Sequence, residues 1–450
     1  MAKVLQGHGT EIVDPCTGES YEFQLDSTID EIDAAFTTAH DGWRNWRDTT
    51  PGERQTSLLG FADAVESQSD QLVAIEQRNT GKTREQVRDE LAGALDEMRF
   101  MAGAQRALQG PLAGRYVPGT ASMSVREPLG VCAQILPWNY PLASAISKLA
   151  PALAMGNTSV LKPAAPTPCS VRALLEIAGE TLPAGVVNAV FGGRETGEYM
   201  VAHRIPALIS LTGSVRAGHE IVRAAGLKVL HLELGGNCPV IVLKDVDVEA
   251  VAREIAEAAL YNAGQDCTAA TRLLVAAEVA EDFVAALTRE FLATQTVPLA
   301  TAEHLDRVIG LLARLPTSAR VECGGRRAEI PGLYVEPTVV TKVTHDDEIV
   351  GEEVFGPVVT VQQFATADEA VALANGTEYG LAASIWTRDH SSAVTLSQRI
   401  DAGTVWINTH GVYATEMPFG GFKSSGYGKD LSPIALENYS RIKHVMTGSI

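Results

Sequence analysis

Residues 131–164 read VCAQILPWNYPLASAISKLAPALAMGNTSVLKPA and decide the fold class of this chain. Two short apolar runs, at 131–136 and 159–161, flank a longer segment in which apolar residues recur at helical spacing. The longer segment contains Lys148 and Pro151 among other interruptions, so a buried helix with a turn fits it better than a membrane span. A strand, a helix and a second strand form the repeating unit of a parallel sheet.

The same alternation of short apolar runs and helical segments extends along most of the chain. A second series of strands begins after Asp247, so we predict two α/β domains that divide near Gly235 and Gly236. The tail, 422–450, is predicted to be a loop followed by a strand at 442–446, which we expect to dock on another domain or subunit. The predicted helices and strands are 29–46, 51–68 and 84–108, then 131–136, 159–161, 186–190, 207–211, 230–234 and 240–243, then 272–275, 358–364, 383–387 and 403–407.

Composition excludes several classes of protein. Lys and Arg number 36 and Asp and Glu number 55, which gives a net charge of −19 and argues against a nucleic-acid partner. The six cysteines form no Cys-x-x-Cys pair and the ten histidines show no zinc-ligand spacing, so neither a disulfide framework nor a metal site is predicted. The first residues, MAKVLQGHGTEIVDP, lack the apolar core of a signal peptide, and we expect a cytoplasmic protein without a membrane partner.

A cysteine and a glutamate suggest covalent chemistry. Cys267 lies in YNAGQDCTAA (261–270), and Glu233 lies in LELGG. A thiol nucleophile and a carboxylate base on separate segments are suited to reaction at a carbonyl. A helix predicted at 247–263 ends at Gly264, which places Cys267 just past a helix end, where nearby donors could activate the thiol. The alternative is that Cys267 is a small buried hydrophobic residue.

Three predicted strands end in residues that suit a ligand. They are followed by PWNYP (137–141), KPA (162–164) and TGS (212–214), and ligands of parallel sheets bind at the carboxyl ends of the strands. The last of these segments opens a helix whose free N–H groups could hold a phosphate. The chain contains no Gly-x-Gly-x-x-Gly motif. The run 213–218 is followed by His219 and Glu220, where a P-loop has its phosphate-binding lysine and metal-binding hydroxyl. Together the strand ends predict a nucleotide held by a lysine, a serine and a helix end.

With these motifs in view, the chain resembles the aldehyde dehydrogenase superfamily from about residue 14 to residue 446. Three segments of its sequence are most similar to the gamma-aminobutyraldehyde dehydrogenase branch of this superfamily: RFMAG (99–103), YNAGQDCTAATR (261–272) and EMPFGGFKSSGYGKDLSP (416–433). The superfamily motifs, in family order, are PWNYPL (137–142), KLAPALAMGN (148–157), LTGS (211–214), LELGG (232–236), GQDC (264–267) and EEVFGPVV (352–359).

The resemblance implies an α/β, aldehyde dehydrogenase-like fold with two α/β domains that contain parallel sheets, plus a small oligomerisation region of strands. It implies an NAD(P)-binding domain at 1–111 and 130–235, a catalytic domain at 236–425, and oligomerisation segments at 112–129 and 426–450. It also implies an enzyme, an NAD(P)-dependent aldehyde dehydrogenase that uses NAD, or NADP as the alternative, on a small aldehyde. Such an enzyme is expected to be a homodimer or homotetramer.

Catalytic roles carry over to three residues. The resemblance implies that Cys267 is the nucleophile, that Glu233 is the base that activates water, and that Asn139 forms an oxyanion hole with the backbone N–H of Cys267. In the aminoaldehyde branch the substrate is 4-aminobutanal or a related omega-aminoaldehyde. The substrate residues implied for it are Glu90, Asp266 and Trp138.

A carboxylate near the tunnel mouth would attract the ammonium group of such a substrate. Asp96 and Glu97 follow Glu90 on the same predicted helix, but they are explained equally well as solvated helix charges. Among the cofactor residues, Lys162 is implied to contact the adenosine ribose and Glu353 the nicotinamide ribose. The full cofactor-binding set implied by the resemblance is Leu136, Pro137, Trp138, Lys162, Ala164, Ala165, Gly192, Thr212, Gly213, Ser214, Leu234, Gly235, Glu353 and Phe355.

Two positions depart from the family pattern. Ala165 stands where the family often has a glutamate that contacts the ribose, and without that carboxylate a 2′-phosphate meets less repulsion. NADP is therefore expected to be used, with NAD still favoured because no arginine is evident beside Ala165 in the sequence. Asn237 replaces the usual lysine after Leu-Gly-Gly.

Other functions stay open at this point. A betaine or general aliphatic aldehyde dehydrogenase is the first alternative. A CoA-acylating relative would typically lack the activating glutamate, so Glu233 argues against it. A cysteine hydrolase would need a histidine partner; His231 is a candidate, although its alternation with Glu233 along a strand indicates a core position. A non-catalytic nucleotide-binding protein is the last alternative.

Overall fold

The computed structural model describes residues 8–108 and 112–448, which form four sheets and fifteen α-helices. The strands are β1 (Gly9–Asp14), β2 (Glu19–Leu25), β3 (Ala113–Gly114), β4 (Thr120–Pro128), β5 (Val131–Ile135), β6 (Thr158–Lys162), β7 (Val187–Ala189), β8 (Leu208–Gly213), β9 (Val229–Leu234), β10 (Cys238–Val242), β11 (Ala270–Ala276), β12 (Arg320–Cys323), β13 (Thr338–Thr341), β14 (Val358–Phe364), β15 (Ala382–Trp386), β16 (Thr404–Ile407), β17 (Gly426–Tyr427) and β18 (Ser440–Gly448).

Helices precede, connect and follow these strands, and two short 3-10 helices lie at Tyr261–Gly264 and Lys423–Ser425. The α-helices are α1 (Ile29–Trp46), α2 (Pro51–Ser67), α3 (Ser69–Thr80), α4 (Arg84–Ala104), α5 (Pro141–Ala154), α6 (Cys169–Thr181), α7 (Arg194–Ala202), α8 (Val215–Ala224), α9 (Val248–Leu260), α10 (Ala280–Ala293), α11 (Ala302–Ala313), α12 (Glu348–Gly351), α13 (Ala367–Asn375), α14 (His390–Ser397) and α15 (Ser432–Asn438).

The first large sheet has the order β17-β9-β8-β5-β6-β7. All its strands are parallel except β17, which comes from the tail and pairs antiparallel with β9. Strand β6 is buried along its whole length because helices cover both faces of the sheet. Side chains such as Phe61 and Leu149 pack on one face, and Phe36 and Met200 pack on the other.

The second large sheet has the order β12-β13-β14-β11-β10-β15-β16, and only the edge strand β12 is antiparallel among its described strands. Helices α9 and α10 cover one face, where Phe283 and Leu287 lie in the core. Helices α13 and α14 cover the other face with Ala370 and Leu396. The predicted pair of α/β units with parallel sheets is confirmed.

A separate ribbon is formed by β18, β4 and β3. Strand β18 pairs with β4 over nine residues, from Ser440 opposite Pro128 to Gly448 opposite Thr120, so the strand predicted at 442–446 is present and longer. The tail therefore contributes to two sheets, through β17 and β18. The parts of the implied segments at 1–7, 109–111 and 449–450 lie outside the described residues.

One predicted helix is shorter in the structure, and one helix was missed. The helix predicted at 84–108 ends at Ala104, and α3 follows α2 directly where no helix was predicted. The polar residues Glu76, Asn79 and Thr80 of α3 are buried, so its sequence lacks the apolar stripe of an amphipathic helix.

Candidate active site

One cleft of about 2000 Å³ collects the predicted site residues at the carboxyl ends of β5, β6, β8 and β9. Gly192 does not line it, whereas its neighbour Gly193 does. The backbone φ of Gly192 is +142°, and a Cβ there would overlap the side chain of Thr196, so this glycine serves packing of the loop. The predicted residues that do line the cleft are Glu90, Leu136, Pro137, Trp138, Asn139, Lys162, Ala164, Ala165, Thr212, Gly213, Ser214, Glu233, Leu234, Gly235, Asp266, Cys267, Glu353 and Phe355.

Cys267 is held by an irregular turn. Helix α9 ends at Leu260, earlier than predicted, because Asn262 and Ala263 adopt left-handed backbone with φ of 48° and 55°. Gly264 follows at φ +70°, where a Cβ would overlap the carbonyl of Gly356. The thiol lies in the cleft, and burial, followed by the charges of Asp266 and Glu233, raises its pKa well above the ordinary value. The thiol therefore depends on a bound ligand or a base for its activation.

Asn139 lies beside this turn in a fixed orientation. Its Nδ2 donates to the backbone carbonyl of Gln265 at 3.0 Å, and Asn262 donates to the same carbonyl at 3.2 Å. An amide nitrogen carries two hydrogens, so one remains for an acceptor in the cleft that Asn139 lines. This arrangement is compatible with an oxyanion donor.

Glu233 ends β9 as a buried carboxyl group. It is 3% exposed, and its Oε1 has no hydrogen-bond partner within the described part of the chain. Burial, followed by the charge of Asp430, raises its pKa well above the ordinary value, while Lys148 and Lys429 act in the opposite direction. A carboxyl group with a raised pKa is suited to take a proton from water near neutral pH.

His231, Glu233 and Asp430 converge, with ligand atoms within 4.8 Å of one another. The sequence alone drew attention to His231 as a partner for a hydrolase. His231 is fully buried, its pKa falls to about 4 because of burial, and its Nε2 lies 3.3 Å from Oδ1 of Asp430. Nζ of Lys148 lies 4.0 Å from Oδ2 of Asp430, so an ammonium group already supplies positive charge at this cluster.

The part of the cleft at the carboxyl ends of β6 and β8 contains side chains that could bind a dinucleotide. Burial lowers the pKa of the Lys162 ammonium to about 8, and the charge of Asp26 opposes the shift. The Ser214 hydroxyl accepts from the backbone N–H of Ala217 at 3.2 Å and caps α8, whose first turn lines the cleft. A helix N-terminus and a lysine side chain are common partners of phosphate and ribose oxygens.

Glu353 and Trp138 occupy the side of the cleft nearest the second sheet. Oε1 of Glu353 accepts from the backbone N–H of Gly236 at 2.8 Å, and burial raises the pKa of Glu353 to about 8. Trp138 packs edge-on against Phe355, with ring centroids 5.3 Å apart, and at a tilt of 51° against His304, with ring centroids 5.0 Å apart. Trp138 thus lies in an aromatic group next to Glu353, on the implied cofactor side.

The two acidic residues implied for the substrate are already paired. Glu90 accepts from Nζ of Lys82 at 2.5 Å, and Tyr261 donates to it at 3.2 Å. Burial raises the pKa of Glu90 to about 7, and Lys82 opposes that shift. Glu90 lines the cleft, but its charge is balanced by a lysine rather than free for a substrate.

Asp266, beside the nucleophile, is also engaged. Tyr140 donates to its Oδ2 at 2.5 Å, and the N–H and hydroxyl of Thr268 donate to its Oδ1 at 2.6 Å. Tyr140 in turn lies under the ammonium of Lys82, which is 3.9 Å from the ring centroid.

Several residues of the site were not predicted. Asp430 lies in the motif at 416–433 and Lys82 lies in no quoted motif. Only folding brings their charges to Glu233 and Glu90. Tyr413 and Phe419 also line the cleft. Phe419 lies in the motif at 416–433 but was given no role, and Tyr413 lies in no quoted motif. Of the two explanations given equal weight for Glu97, the solvated helix charge is wrong because Glu97 is 3% exposed.

The chain is similar to known proteins along nearly its whole length. A model of the aldehyde dehydrogenase family matches residues 4–445. A betaine aldehyde dehydrogenase of Bacillus subtilis is 38% identical over 421 residues, which cover 89% of this chain and 86% of that protein. A betaine aldehyde dehydrogenase of Brucella anthropi is 37% identical over 98% of this chain and 94% of its own length.

Solved structures of the family are also similar to this chain. A point mutant of the betaine aldehyde dehydrogenase of Staphylococcus aureus, in complex with NAD+, has a TM-score of 0.95 at 32% identity, covering 98% of this chain and 94% of that one. Within the described residues, no helix combines the length and apolarity needed to cross a membrane. The chain belongs to the aldehyde dehydrogenase family and is an NAD(P)-dependent aldehyde dehydrogenase.

Proposed function

We propose that the chain oxidises betaine aldehyde, or a small aldehyde with a similar quaternary ammonium group, to the carboxylate with NAD. The names of the Bacillus subtilis and Brucella anthropi relatives support this alternative better than 4-aminobutanal. The observation that carries the proposal is the pairing of Glu90 with Lys82 at 2.5 Å. A primary ammonium needs hydrogen-bond acceptors, and this carboxylate is occupied, whereas a quaternary ammonium has no N–H group and binds aromatic faces.

Aromatic side chains support the same substrate class. Tyr140, Tyr413 and Phe419 line the cleft that contains Asp266. Tyr413 packs edge-on against Phe419 at 5.3 Å, and its hydroxyl lies 2.7 Å from Oγ1 of Thr268, so its ring is fixed. The ammonium of Lys82 already lies over the ring of Tyr140, so the rings of Tyr413 and Phe419 are the ones that can attract the cation of a substrate. The carboxylate of Asp266, whose oxygens already accept hydrogen bonds, adds electrostatic attraction.

In the first half of the reaction, Cys267 Sγ gives its proton to water in the cleft and forms a bond to the carbonyl carbon of the aldehyde. The carbonyl oxygen becomes an oxyanion, for which Asn139 Nδ2 and the backbone N–H of Cys267 are the donors. NAD, when bound, supplies the acceptor for the hydride of the substrate carbon. Lys162, Ser214 and Glu353 provide the ammonium, helix end and carboxylate that fit its riboses and phosphates.

The second half is hydrolysis of the thioester on Cys267. Glu233 takes one proton from water, the water oxygen bonds to the acyl carbon, and the carbon–sulfur bond breaks to release the thiolate and a carboxylic acid. The acid gives the second proton of the water to solvent and becomes the carboxylate. An activating glutamate beside the nucleophile favours water over CoA as the acyl acceptor.

The substrate proposal is tested with three aldehydes. Betaine aldehyde and 3,3-dimethylbutanal have nearly the same shape, but only the first is charged, so its kcat/KM is expected to be at least about tenfold higher, or about 1.4 kcal/mol. Tyr413→Leu should lower this ratio about 3- to 30-fold, the range of one cation–π contact. Tyr116→Leu, an exposed tyrosine that does not line the cleft, is the control. A higher kcat/KM for 4-aminobutanal than for betaine aldehyde would overturn the proposal.

For the cofactor, we expect NAD to be preferred and NADP to be used measurably. Arg194 lines the same cleft as Ala165, which the sequence did not reveal, but its guanidinium pairs with Glu198 at 2.7 Å and Glu220 at 3.2 Å. Comparing kcat/KM for both cofactors checks this, and Ala165→Glu should reduce NADP use further. A preference for NAD beyond about 10³-fold, or about 4 kcal/mol, would mean that another group rejects the 2′-phosphate.

A homo-oligomer is also proposed. Met123 and Val125 on β4 and Ile442 and Met446 on β18 expose apolar side chains along the ribbon, and exposed apolar surfaces of this kind mark interfaces. Light scattering after gel filtration should give a dimer or tetramer, and Ile442→Lys should dissociate it. A monomeric wild-type chain would refute this part.

A further inference from the structure

His231 and Asp430 lie beside Glu233, and no step of the reaction above uses either of them. His231 and Glu233 are two residues apart on β9, so their side chains lie on the same face of the sheet. Strand β17 pairs antiparallel with the end of β9 and leads to Asp430. The pairing of these two strands therefore places an imidazole and two carboxyl groups next to one another.

The imidazole of His231 is buried without a hydrogen bond. The residue is fully buried, and neither of its ring nitrogens has a hydrogen-bond partner in the part of the chain that the structure describes. Oε1 of Glu233 and Oδ1 of Asp430 lack a partner among the same residues. Buried polar atoms of native proteins are nearly always paired, so three unpaired groups that face one another require an explanation.

The distances in this cluster suit a metal ion better than a hydrogen bond. Nε2 of His231 lies 3.3 Å from Oδ1 of Asp430, and one ligand atom from each of the three residues lies within 4.8 Å of the others. Two ligand atoms that bind zinc at about 2.0–2.1 Å and at a tetrahedral angle are separated by about 3.3 Å. The His231–Asp430 pair already has this separation, and a small rotation of the Glu233 side chain completes the set.

The ring of His231 is held in place for this role. Tyr439 packs edge-on against it with ring centroids 5.7 Å apart, and the backbone of Gly428 lies so close that a Cβ there would overlap Cδ2 of the ring. Burial lowers the pKa of His231 to about 4, so the ring is neutral near pH 7. A neutral imidazole has a nitrogen lone pair to give to a metal without first losing a proton.

Two ammonium groups near the cluster set a limit to its affinity. Nζ of Lys148 lies 4.0 Å from Oδ2 of Asp430, which leaves Oδ1 of Asp430 to His231. Nζ of Lys429 donates to the backbone carbonyl of Gly420. Because both positive charges oppose a cation, we expect binding to be reversible and weaker than at a structural zinc site.

We propose that His231, Glu233 and Asp430 form a binding site for a zinc ion that inhibits hydrolysis of the thioester. Glu233 and Asp430 line the cleft, through which the ion can enter and from which water can fill a fourth ligand position. An imidazole with two carboxylates suits zinc, whereas Mg²⁺ prefers an octahedron of oxygen ligands. A Glu233 carboxylate bound to zinc cannot take a proton from water, a consequence that rests on the proposed role of Glu233 as the base.

Binding is tested first, in the absence of the reactive thiol. Zinc chloride is titrated by calorimetry into Cys267→Ala, in which the thiol cannot act as a ligand. Adding His231→Leu to this background should raise the Kd at least about tenfold, since even the loss of a residue behind a ligand weakens metal binding 10- to 100-fold. His219→Leu, the same change at an exposed histidine that lines the cleft, is the control and should leave the Kd unchanged. Asp430→Asn keeps the shape of its side chain and should also raise the Kd at least about tenfold, so the test does not depend on the folding of His231→Leu.

Inhibition is tested in the protein with its thiol. Enzyme, NAD and an aldehyde that the wild type oxidises are mixed rapidly with and without zinc chloride at the measured Kd. The burst of NADH should be unchanged, while the steady-state rate should fall about twofold and recover when EDTA is added. The same zinc concentration should leave the steady-state rate of His231→Leu unchanged.

Equal Kd values in Cys267→Ala with and without His231→Leu and Asp430→Asn would overturn the site. Binding that disappears in Cys267→Ala, or a burst that zinc lowers as much as the steady state, would place the ion on the thiol and would also overturn it. Binding that depends on His231 but does not slow hydrolysis would overturn the inhibition. Glu233→Gln, measured in parallel, separates this from a failure of the proposed function, because unimpaired hydrolysis in that variant would refute the base itself.

Discussion

Glu90→Gln distinguishes a substrate carboxylate from a structural one. If Glu90 bound the ammonium of 4-aminobutanal, the change would lower the preference for that aldehyde over butanal. The structure instead pairs Glu90 with Lys82, whose side chain is 0% exposed, while that of Glu90 is 9% exposed. We therefore expect a loss of stability rather than of specificity.

The size of that loss follows from burial. Removing one partner of a buried ion pair costs about 3–5 kcal/mol, since the remaining charge is left without compensation. Glutamine keeps a carbonyl oxygen for Lys82, and the carboxylate of Glu76 also faces this lysine, so we expect about 2 kcal/mol. A loss of that size lowers Tm by about 4–8 °C.

The assay combines thermal unfolding with kcat/KM for 4-aminobutanal and butanal. Glu85→Gln, at an exposed position of the same helix, should leave Tm within about 1 °C of the wild type. The expected result for Glu90→Gln is a lower Tm with an unchanged ratio of the two kcat/KM values. A tenfold fall in that ratio at unchanged Tm would refute the structural role and restore Glu90 as a substrate residue.

Four further outcomes are expected. Cys267→Ala should abolish dehydrogenation and leave NAD binding intact; more than a few percent of the wild-type rate would contradict the nucleophile. Glu233→Gln should give a burst of NADH and then stall, and absence of the burst would place Glu233 at an earlier step. Asn139→Ala should reduce the rate about 10²- to 10³-fold, and a change below about threefold would mean that another donor holds the oxyanion. The folded state raises the pKa of Glu97 from 4.5 to about 8, so the wild type loses stability as pH rises between these values, and Tm of Glu97→Gln relative to wild type should increase over that window; a constant difference would contradict this.

The apolar runs of the sequence predicted the strands of the two large sheets, because a strand that is buried on both faces consists of consecutive apolar residues. Strands β5, β6 and β10 were placed within one or two residues. Helix ends were less predictable. The end of α9 depends on left-handed backbone at Asn262 and Ala263. Neither residue is a glycine, so the sequence does not indicate this backbone conformation.

The motif residues of the cleft were predictable, but their charge partners were not. Glu90 and Asp266 were expected to be free carboxylates since the sequence displays them near the nucleophile and the predicted entrance. Lys82 reaches Glu90 from the turn between α3 and α4. Tyr140, which follows β5 of the first large sheet, reaches Asp266, which precedes β11 of the second. Periodicity and spacing carry no information about such contacts, which decide whether a carboxylate is available to a substrate.

The departure at Asn237 has a physical explanation in the fold. Its buried Nδ2 donates to the carbonyls of Val350 at 2.9 Å and Glu352 at 3.3 Å, and its Oδ1 accepts from Oγ1 of Thr271 at 3.0 Å. A lysine could donate to the two carbonyls but could not accept from the threonine, so asparagine and Thr271 suit each other. The segment from Val350 to Glu352 that Asn237 binds leads directly to Glu353. The carboxylate of Glu353 accepts a hydrogen bond from the backbone N–H of Gly236, the residue before Asn237. Gly236 and Asn237, which follow β9, thus together position the carboxylate of Glu353 on the proposed cofactor side of the cleft.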